Sequence, residues 1–459
     1  MKDKSHLHKI LQNSRAASLM EILDAKENRA NKQKQLLQNG ETLISFTLNI
    51  PGAIKTSDLF KKGFDEGKEK ILQQLAWSNC KIISQEEISS VAGYELYILC
   101  DENSIKIKKL MIQIEESDLG RIFDIDVLGK NCEPISRSDL NIPARKCYIC
   151  GETAKICSRS QKHSYEELLL KLIDILENYF TEKFLVKTSA NVNRALLYEV
   201  STSPKPGLVD CKNNGSHKDM NLFTFIDSAA VLNEYFKKFL KKGIELVQVP
   251  PKDVLKELRY LGKCAEDEMH KITFGVNCHK GIIFSMGVIC TAVGMRFAQG
   301  KEYNSEEVLK LSGEICASLL DDFENINLQK ENLSYGEKLY LKYGITGIRG
   351  EASAAYPTIS KIALPALKKY LSKGFDINEA GAWTLLEILS VTEDTNILTR
   401  SNIQTLKEVQ QKAKDLLEND EKNLQDICEL DELFIEKNIS PGGCADLLAI
   451  TYFLYFMEN

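Results

Sequence analysis

The chain has 459 residues, 43% hydrophobic and 27% charged, which is the balance of a soluble globular protein with a sizeable core. Its 59 basic and 65 acidic side chains give a formal charge of −6, which disfavours sequence-independent nucleic-acid binding because such binding needs excess Lys and Arg. The longest charge-free apolar stretch, 281–295, is shorter than the ~18 residues of a membrane span. The start of the chain lacks a secretory signal, and the 13 scattered cysteines fit reduced thiols. We therefore expect a cytoplasmic, multidomain protein with no membrane or nucleic-acid partner.

The N-terminal part of the chain mixes strand-like and helical patterns. Runs rich in Ile, Val, Tyr and Phe predict strands over 41–52, 94–100 and 121–129. Helical periodicity covers 15–38 and 57–76. These patterns predict a mixed α/β domain.

After residue 164 the hydrophobic period becomes helical and stays so. Ser164 and Glu167 have the spacing of a capping box at the start of the first of these helices. Further helices are predicted over 221–242, 252–270, 281–298, 305–322, 361–372, 378–391, 402–418 and 444–457. We expect an all-α second domain, with the domains at 1–176 and 177–459.

Two carboxylates stand two residues apart in the last predicted strand, at Asp124 and Asp126. Since residues i and i+2 of a strand face the same side, they converge while their neighbours Phe123, Ile125 and Val127 face the core. Paired carboxylates of this kind hold Mg²⁺ beside a phosphate chain in many nucleotidyl-transfer sites. A solvated strand face produces the same D-x-D pattern, and the motif by itself favours that second interpretation.

A group of thiols follows, in the order Cys147, Cys150, Cys157, with His163 after them. The spacing is compatible with a small tetrahedral zinc site. It is equally compatible with buried thiols around a turn, with His163 serving elsewhere, and both alternatives stay open. Nearby cations either clamp phosphates or remain solvated: Arg137, Arg145, Arg159 and Lys162.

The run RIFDIDVLGKNCEPISRSDLNIPARKCYICGETAKICSRSQKHSYEEL (121–168) resembles the transferase that attaches the prosthetic group to the acyl carrier subunit of citrate lyase. LDAKENRANKQKQLL (23–37) and ISFTLNIPGAIKTS (44–57) match that family as well, so the resemblance covers 15–168. It implies a nucleotidyltransferase-like domain that transfers phosphoribosyl-dephospho-CoA from its triphosphate to a carrier serine and releases diphosphate. It also implies that Asp124 and Asp126 are catalytic Mg²⁺ ligands. The implied substrate-binding residues are Arg121, Arg145 and Arg159.

Five loops between the later helices carry polar residues that a simple helical bundle does not need. These residues are Lys205, Asn214, His217, Asp219, His279, Lys280, Arg349, Glu351, Asp394, Asn396, Arg400 and Asp446. Lys280 precedes an apolar helix, and a helix N-terminus beside a basic side chain binds anions well. Each loop also has a structural explanation; Asp219, for example, is placed to cap the next helix. Together they suit a triphosphate-bearing substrate with Mg²⁺ better than a packing core.

The ordered motifs EVS-x-SPKPGLVD, N-x-HKG-x-IF, GI-x-GIRGEA, DTN and SPGG-x-ADLLA strongly resemble triphosphoribosyl-dephospho-CoA synthase, from about residue 190 onward. This family joins ATP to 3′-dephospho-CoA and expels adenine while keeping all three phosphates. The chain departs from the family at a few uncharged positions, which are Cys278, Ala355-Tyr356-Pro357, Ser401-Asn402 and Cys444. The resemblance implies a chain that performs two consecutive steps.

The resemblance also implies roles for the loop residues. Lys205, Lys280 and Arg349 are expected to hold the triphosphate, with Asn214, Asn396 and Arg400 as further binding residues. His217 and His279 are expected to protonate adenine or bind phosphate. The catalytic candidates, for Mg²⁺ ligation or activation of the 2′-hydroxyl, are Asp219, Glu351, Asp394 and Asp446. The alternatives are the equivalent pathway for the malonate decarboxylase carrier, or a fusion with one active half.

Overall fold

The computed structural model describes residues 10–12, 14–324, 333, 335–419 and 421–459. The chain divides into two units, Met1–Lys183 and Phe184–Asn459. The first is mixed α/β and the second is helical, so the predicted order of a multidomain α/β and then helical protein is confirmed. All thirteen cysteines are free thiols.

The first unit is built on a four-stranded antiparallel sheet. Its strands are β1 (Thr42–Leu48), β2 (Ile82–Ser90), β3 (Gly93–Cys100) and β4 (Phe123–Gly129). They lie in the order β2-β3-β1-β4, which puts β4 at an edge. The helices of this unit are α1 (Leu19–Leu37), α2 (Asp58–Trp77), α3 (Ser104–Glu115) and the short α4 (Ala154–Arg159). The sequence patterns missed β2, α3 and α4.

One face of the sheet carries the core of the first unit. Phe46 of β1 stacks on Phe64 of α2 with ring centroids 5.1 Å apart, and it meets Phe123 of β4 edge-on at 5.4 Å. Along β4 the residues Phe123, Ile125 and Val127 are buried, as predicted, whereas the two aspartates between them are exposed. The strand period therefore puts both carboxylates on the face away from this core.

The following helix, α5 (Tyr165–Ser201), contains the division between the two units. Its predicted capping box is present, because the backbone N–H of Glu167 donates to Ser164 Oγ at 3.2 Å and the N–H of Ser164 donates to Glu167 Oε2 at 2.8 Å. The helices that follow are α6 (Leu222–Glu245), α7 (Pro251–Ile272), α8 (Lys280–Ala298), α9 (Ser305–Ile315), α10 (Asp321–Glu324), α11 (Tyr335–Tyr343), α12 (Gly347–Ser353), α13 (Leu364–Ser372), α14 (Ile377–Leu389), α15 (Thr395–Arg400), α16 (Ile403–Glu418), α17 (Leu424–Glu436) and α18 (Gly442–Glu458). Among the described residues after 164, every named element is helical, as predicted.

The predicted continuous helix over 305–322 is wrong. Helix α9 ends at Ile315, and a 3₁₀ turn (Ala317–Leu320) precedes α10. At this break the N–H of Cys316 is shared between the carbonyls of Ser312 and Gly313, both at 3.1 Å, so the bonding tightens from the i−4 to the i−3 carbonyl.

Helix α8 lies in the core of the helical unit. Small residues let it approach α6, since a Cβ at Gly294 would lie 2.1 Å from the carbonyl oxygen of Leu240. Among the described residues, α8 is a helix with the length and mean hydropathy of a membrane span, but 72% of that window is buried inside the protein. A buried core helix of a soluble protein can have the same length and mean hydropathy as a membrane span. The N-terminus of α8 places Lys280 among the polar loops.

Candidate functional sites

In the first unit, the carboxylates of Asp124 and Asp126 lie side by side on β4, opposite Thr47 and Ser45 of β1. Both are accessible to solvent. The surrounding protein atoms and the negative charge of Asp124 raise the pKa of Asp126, although Lys108 and Arg29 oppose this rise. Two carboxylates that repel one another are a good donor set for a hard divalent cation.

The arginine side chains of this unit differ in their contacts. Arg145 donates to the carbonyl oxygen of Gly120, and burial together with the charge of Arg145 lowers the pKa of Arg121, so these two guanidinium groups lie close together. Arg159 ends α4 with an exposed side chain. Arg29 of α1 was not predicted; it forms an ion pair with Glu95 at 2.7 Å.

In the second unit, most of the predicted residues surround one polar cavity of about 320 Å³. The candidates that line it are Lys205, His217, Asp219, His279, Lys280, Asn396, Arg400 and Asp446. They come from four of the five loops, whose ends meet at the N-termini of α8 and α18. Asn214 does not line this cavity, and its exposed side chain lies in the turn before His217.

A buried ion pair stands in the wall of this cavity. The ammonium group of Lys205 contacts the carboxylate of Glu199, and the two side chains are 1% and 5% exposed. Burial raises the pKa of Glu199, and the charge of Lys205 opposes the rise. Glu199 was missed as a site residue, although a Glu on the apolar side of α5, between the buried Leu196 and Val200, was the available signal.

His279 is also buried beside this pair. Its Nδ1 is hydrogen-bonded to Ser228 Oγ at 2.7 Å, and its buried Nε2 has no hydrogen-bond partner among the described residues. Burial and the positive charge of Lys205 lower the pKa of His279 to about 3. The imidazole is therefore neutral at ordinary pH.

Asp446 of α18 packs against the first turn of α8. A Cβ at Gly281 would lie 2.0 Å from Asp446 Oδ2, so only glycine leaves room for this carboxyl group. Burial and the negative charges of Glu199 and Asp394 raise the pKa of Asp446 well above its ordinary value. A carboxyl group in such surroundings is a candidate acid or base.

Asp394 has a structural part as well. It caps α15, where its Oδ1 accepts from the N–H of Asn396 at 2.8 Å and of Ile397 at 3.3 Å. Its Oδ2 accepts from the N–H of Cys444 at 2.9 Å, which joins this loop to the start of α18. Burial raises the pKa of Asp394 in spite of these three donors.

His217 and Arg400 form the outer wall of the cavity. The Nε2 of His217 is 2.8 Å from Ser440 Oγ, and its Nδ1 is 3.3 Å from a guanidinium nitrogen of Arg400. Burial and the Arg400 charge lower the pKa of His217. Asp219 lies 3.9 Å from this ring; it does not cap the next helix, because Asn221 does.

Arg349 and Glu351 line neighbouring cavities instead. The loop predicted to carry these two residues is wrong at this point, since Gly347–Ser353 forms the short helix α12. Glu351 shares a cavity of about 310 Å³ with Asp394 and accepts a hydrogen bond from Thr358 Oγ1. Arg349 lines a larger, mostly apolar cavity of about 590 Å³, which also includes Lys280.

Comparisons with known proteins cover both units. Residues 187–459 match the family CitG, ATP:dephospho-CoA triphosphoribosyl transferase, and residues 17–179 match CitX, apo-citrate lyase phosphoribosyl-dephospho-CoA transferase. A Haemophilus influenzae protein named Protein CitXG is 36% identical over 457 residues, which cover 96% of this chain and 97% of that protein. The chain belongs to the CitXG family. A protein of that name from Leuconostoc mesenteroides subsp. cremoris is 34% identical over 462 residues, covering 95% of this chain and 96% of its own length.

The second unit has relatives of its own. A probable 2-(5''-triphosphoribosyl)-3'-dephosphocoenzyme-A synthase of Streptococcus mutans is 38% identical over 293 residues, 61% of this chain and 99% of that protein. As a CitXG family member, the protein is a bifunctional transferase that makes the citrate lyase prosthetic group and attaches it to the acyl carrier subunit. Its substrates include ATP and dephospho-CoA.

Proposed function

We propose that the synthase reaction takes place in the 320 Å³ cavity, at the carboxyl groups of Asp446 and Glu199. In this step the bond between C1′ of the ATP ribose and N9 of adenine breaks, and C1′ bonds to the 2′-oxygen of dephospho-CoA. The 2′-hydroxyl loses its proton to a base, and adenine takes up a proton as it leaves. The sugar develops oxocarbenium character, which nearby carboxylates stabilise.

The single observation that carries this proposal is the cluster of buried ionisable groups beside the N-terminus of α8. Asp446 accepts the 2′-hydroxyl proton, because a carboxylate with a raised pKa is a stronger base near neutral pH. Glu199 faces the developing positive charge, and Lys205 acts through Glu199 by keeping it ionised. The neutral ring of His279 donates a hydrogen bond from Nε2 to the departing adenine, while Ser228 holds Nδ1.

The cationic residues at the cavity mouth are the proposed triphosphate ligands. Lys280 lies at the N-terminus of α8, where the helix dipole adds to its charge. Arg400 lines the same cavity, and Asn396 stands beside it on α15. Carboxylate oxygens are the ligands that Mg²⁺ prefers, so Asp219 here, and Asp124 and Asp126 in the first unit, suit this ion. When bound, Mg²⁺ would neutralise phosphate charge.

The apolar cavity of about 590 Å³ is the proposed site for the pantetheine arm of dephospho-CoA. It shares Lys280 and Gly281 with the polar cavity, so a ligand that spans both reaches the reacting sugar. Its walls are apolar, which suits the arm, and its rim is basic, which suits the 5′-diphosphate. The rim residues are Arg259, Lys263 and Arg349.

For the first unit we propose that Asp124 and Asp126 are the catalytic pair of carrier loading. The oxygen of the carrier serine bonds to the phosphorus attached to the ribose while the bond from that phosphorus to the diphosphate breaks, the serine proton passes to water, and charge builds on the leaving diphosphate oxygens. Arg121, Arg145 and Arg159 are the proposed phosphate ligands. A nucleotidyltransferase-like fold, functional domains at 1–176 and 177–459, and a cytoplasmic location remain part of the proposal.

One mixture tests both steps. The purified protein is incubated with ATP, 3′-dephospho-CoA, Mg²⁺ and the apo acyl carrier subunit of citrate lyase, while chromatography follows free adenine and intact mass follows the carrier. We expect adenine release and a carrier mass gain of one phosphoribosyl-dephospho-CoA group. A parallel sample with the malonate decarboxylase carrier tests the alternative partner, and faster or more complete loading of that carrier would overturn the citrate lyase assignment.

Asp446→Asn tests the site itself. We expect it to abolish adenine release, because the base is lost, while the fold is kept. The matched control is Glu408→Gln on the exposed face of α16, which should release adenine at the wild-type rate. Wild-type adenine release by Asp446→Asn would remove this carboxyl group from the mechanism.

A further inference from the structure

We propose that Cys147, Cys150, Cys157 and His163 bind one zinc ion that holds the segment between β4 and α5 in its fold. The potential ligand atoms of these four side chains all lie within 4.8 Å of one another. Three sulfurs and one imidazole nitrogen are a common ligand set of structural zinc sites. Neither the family descriptions nor the two reactions assign a metal to these residues.

The distances are close to those of a tetrahedral site. With Zn–S bonds of about 2.3 Å, two sulfurs of a tetrahedron are ~3.8 Å apart. The Sγ atoms of Cys150 and Cys157 are 3.9 Å apart. This separation matches the one expected for two sulfurs on a single zinc ion, and every other pair of ligand atoms lies within 4.8 Å.

The backbone around the first two cysteines has the shape of a tight turn. The N–H of Cys147 donates to the carbonyl of Glu152 at 2.6 Å, and the N–H of Gly151 donates to the carbonyl of Cys147 at 3.0 Å. Gly151 has a φ of 73°, which a residue with a side chain rarely adopts. The N–H of Ile149 points at Cys147 Sγ from 3.5 Å, as suits a thiolate that accepts hydrogen bonds.

The burial pattern of the segment supports a metal over thiol packing. Between Lys130 and Ser164, all of whose residues are described, only Cys147 and Cys157 are buried. The segment thus lacks a hydrophobic core of its own, and its regular structure is limited to one 3₁₀ turn and the six residues of α4. A structural zinc ion supplies folding free energy where a core is missing.

His163 adds an independent observation. Its Nε2 is buried and has no hydrogen-bond partner among the described residues. A buried polar atom without a partner is costly, and coordination of a metal removes that cost. Packing of three thiols alone would leave the cost in place, so the histidine distinguishes the two interpretations.

The zinc ion would act on carrier loading by position and not by chemistry. The segment it closes carries Arg145, which is bonded to Gly120 just before β4, and Tyr148, whose hydroxyl donates to the carbonyl of Leu168 at 3.2 Å. Both contacts tie the segment to the elements on either side of it. This consequence rests on the proposed function of Asp124 and Asp126, but zinc binding does not.

The test measures metal in the full-length protein, purified from zinc-supplemented cells without chelators. We expect about one zinc ion per chain in the wild type and its loss in Cys157→Ser. The matched control is Cys80→Ser, a half-buried thiol of the same unit outside the cluster, which should keep the metal. Adenine release should persist in Cys157→Ser, so failure of this proposal is distinguishable from failure of the synthase assignment.

A second measurement uses the wild type alone, in case the variant does not fold. Titration with a mercurial reagent should release zinc, and Co²⁺ should give the visible bands of a tetrahedral thiolate site. Metal-free wild-type protein would overturn the proposal. So would a disulfide between Cys150 and Cys157, or an undiminished zinc content in folded Cys157→Ser.

Discussion

The buried Lys205–Glu199 pair permits a sharp prediction about stability. Lys205→Met keeps the aliphatic length of the side chain and removes its charge, which leaves Glu199 buried without a partner. Removal of one member of a buried ion pair costs about 3–5 kcal/mol, so the unfolding equilibrium constant should rise by at least about 100-fold. In Lys205→Met/Glu199→Gln neither side chain of the pair carries a charge, and a large part of the lost stability should return, although adenine release should not.

The cost should also depend on pH. Burial already raises the pKa of Glu199, and loss of the Lys205 charge removes an interaction that lowers it. Above this raised pKa the folded state of Lys205→Met has to bury a negative charge, while the unfolded state exposes it to water. The destabilisation relative to wild type is therefore greatest at neutral pH, and it shrinks as the pH falls and the folded state takes up a proton.

Urea unfolding measures these changes in the full-length protein. The chain has two tryptophans, so in a Trp77→Phe background the fluorescence of the buried Trp383 reports the second unit. The matched control is Lys280→Met, whose ion pair with Glu266 is partly exposed (57% and 31%) and should contribute only about 0–1 kcal/mol. Wild-type stability of Lys205→Met would refute the reasoning, as would a double variant no more stable than the single one.

Three further variants separate the proposed roles. Gly281→Ala brings a Cβ against Asp446 and should slow adenine release by about 100-fold. The control Gly336→Ala should not slow it, because the heavy atom nearest to a Cβ at Gly336 is 4.0 Å away. Equal rates of adenine release in the two variants would contradict the close packing of Gly281 against Asp446. Because the pKa of His279 is about 3, its ring ¹⁵N chemical shifts should remain those of a neutral imidazole between about pH 8 and 5. Over the same pH range the free energy of unfolding should fall with pH, because His279 takes up a proton in the unfolded chain and not in the folded one. An ordinary titration curve would refute the burial argument. Asp126→Asn should abolish carrier loading but leave adenine release unchanged, and a loaded carrier in that variant would exclude the D-x-D pair.

Patterns within one element were enough to predict much of the fold. The capping box at Ser164 and the alternation along β4 depend on relations between residues two or three apart, and the structure has both. Strand β2 was missed, because it lies exposed at the sheet edge and its sequence IISQEEISS has no apolar alternation. Its strand conformation comes from hydrogen bonds to β3, which no local pattern records.

The sequence alone determined the two families and the set of polar side chains available to each site, because the motifs are defined by residue type and order along the chain and do not depend on the fold. Only the tertiary structure decided what those side chains face. Asp394 accepts hydrogen bonds from backbone donors of two loops, while Asp446 packs against Gly281, and burial with the charges of Glu199 and Asp394 raises its pKa. Glu199 became a site residue only when the fold buried it against Lys205. Burial and charge pairing depend on every element that surrounds a group, and this is why they could not be derived from spacing.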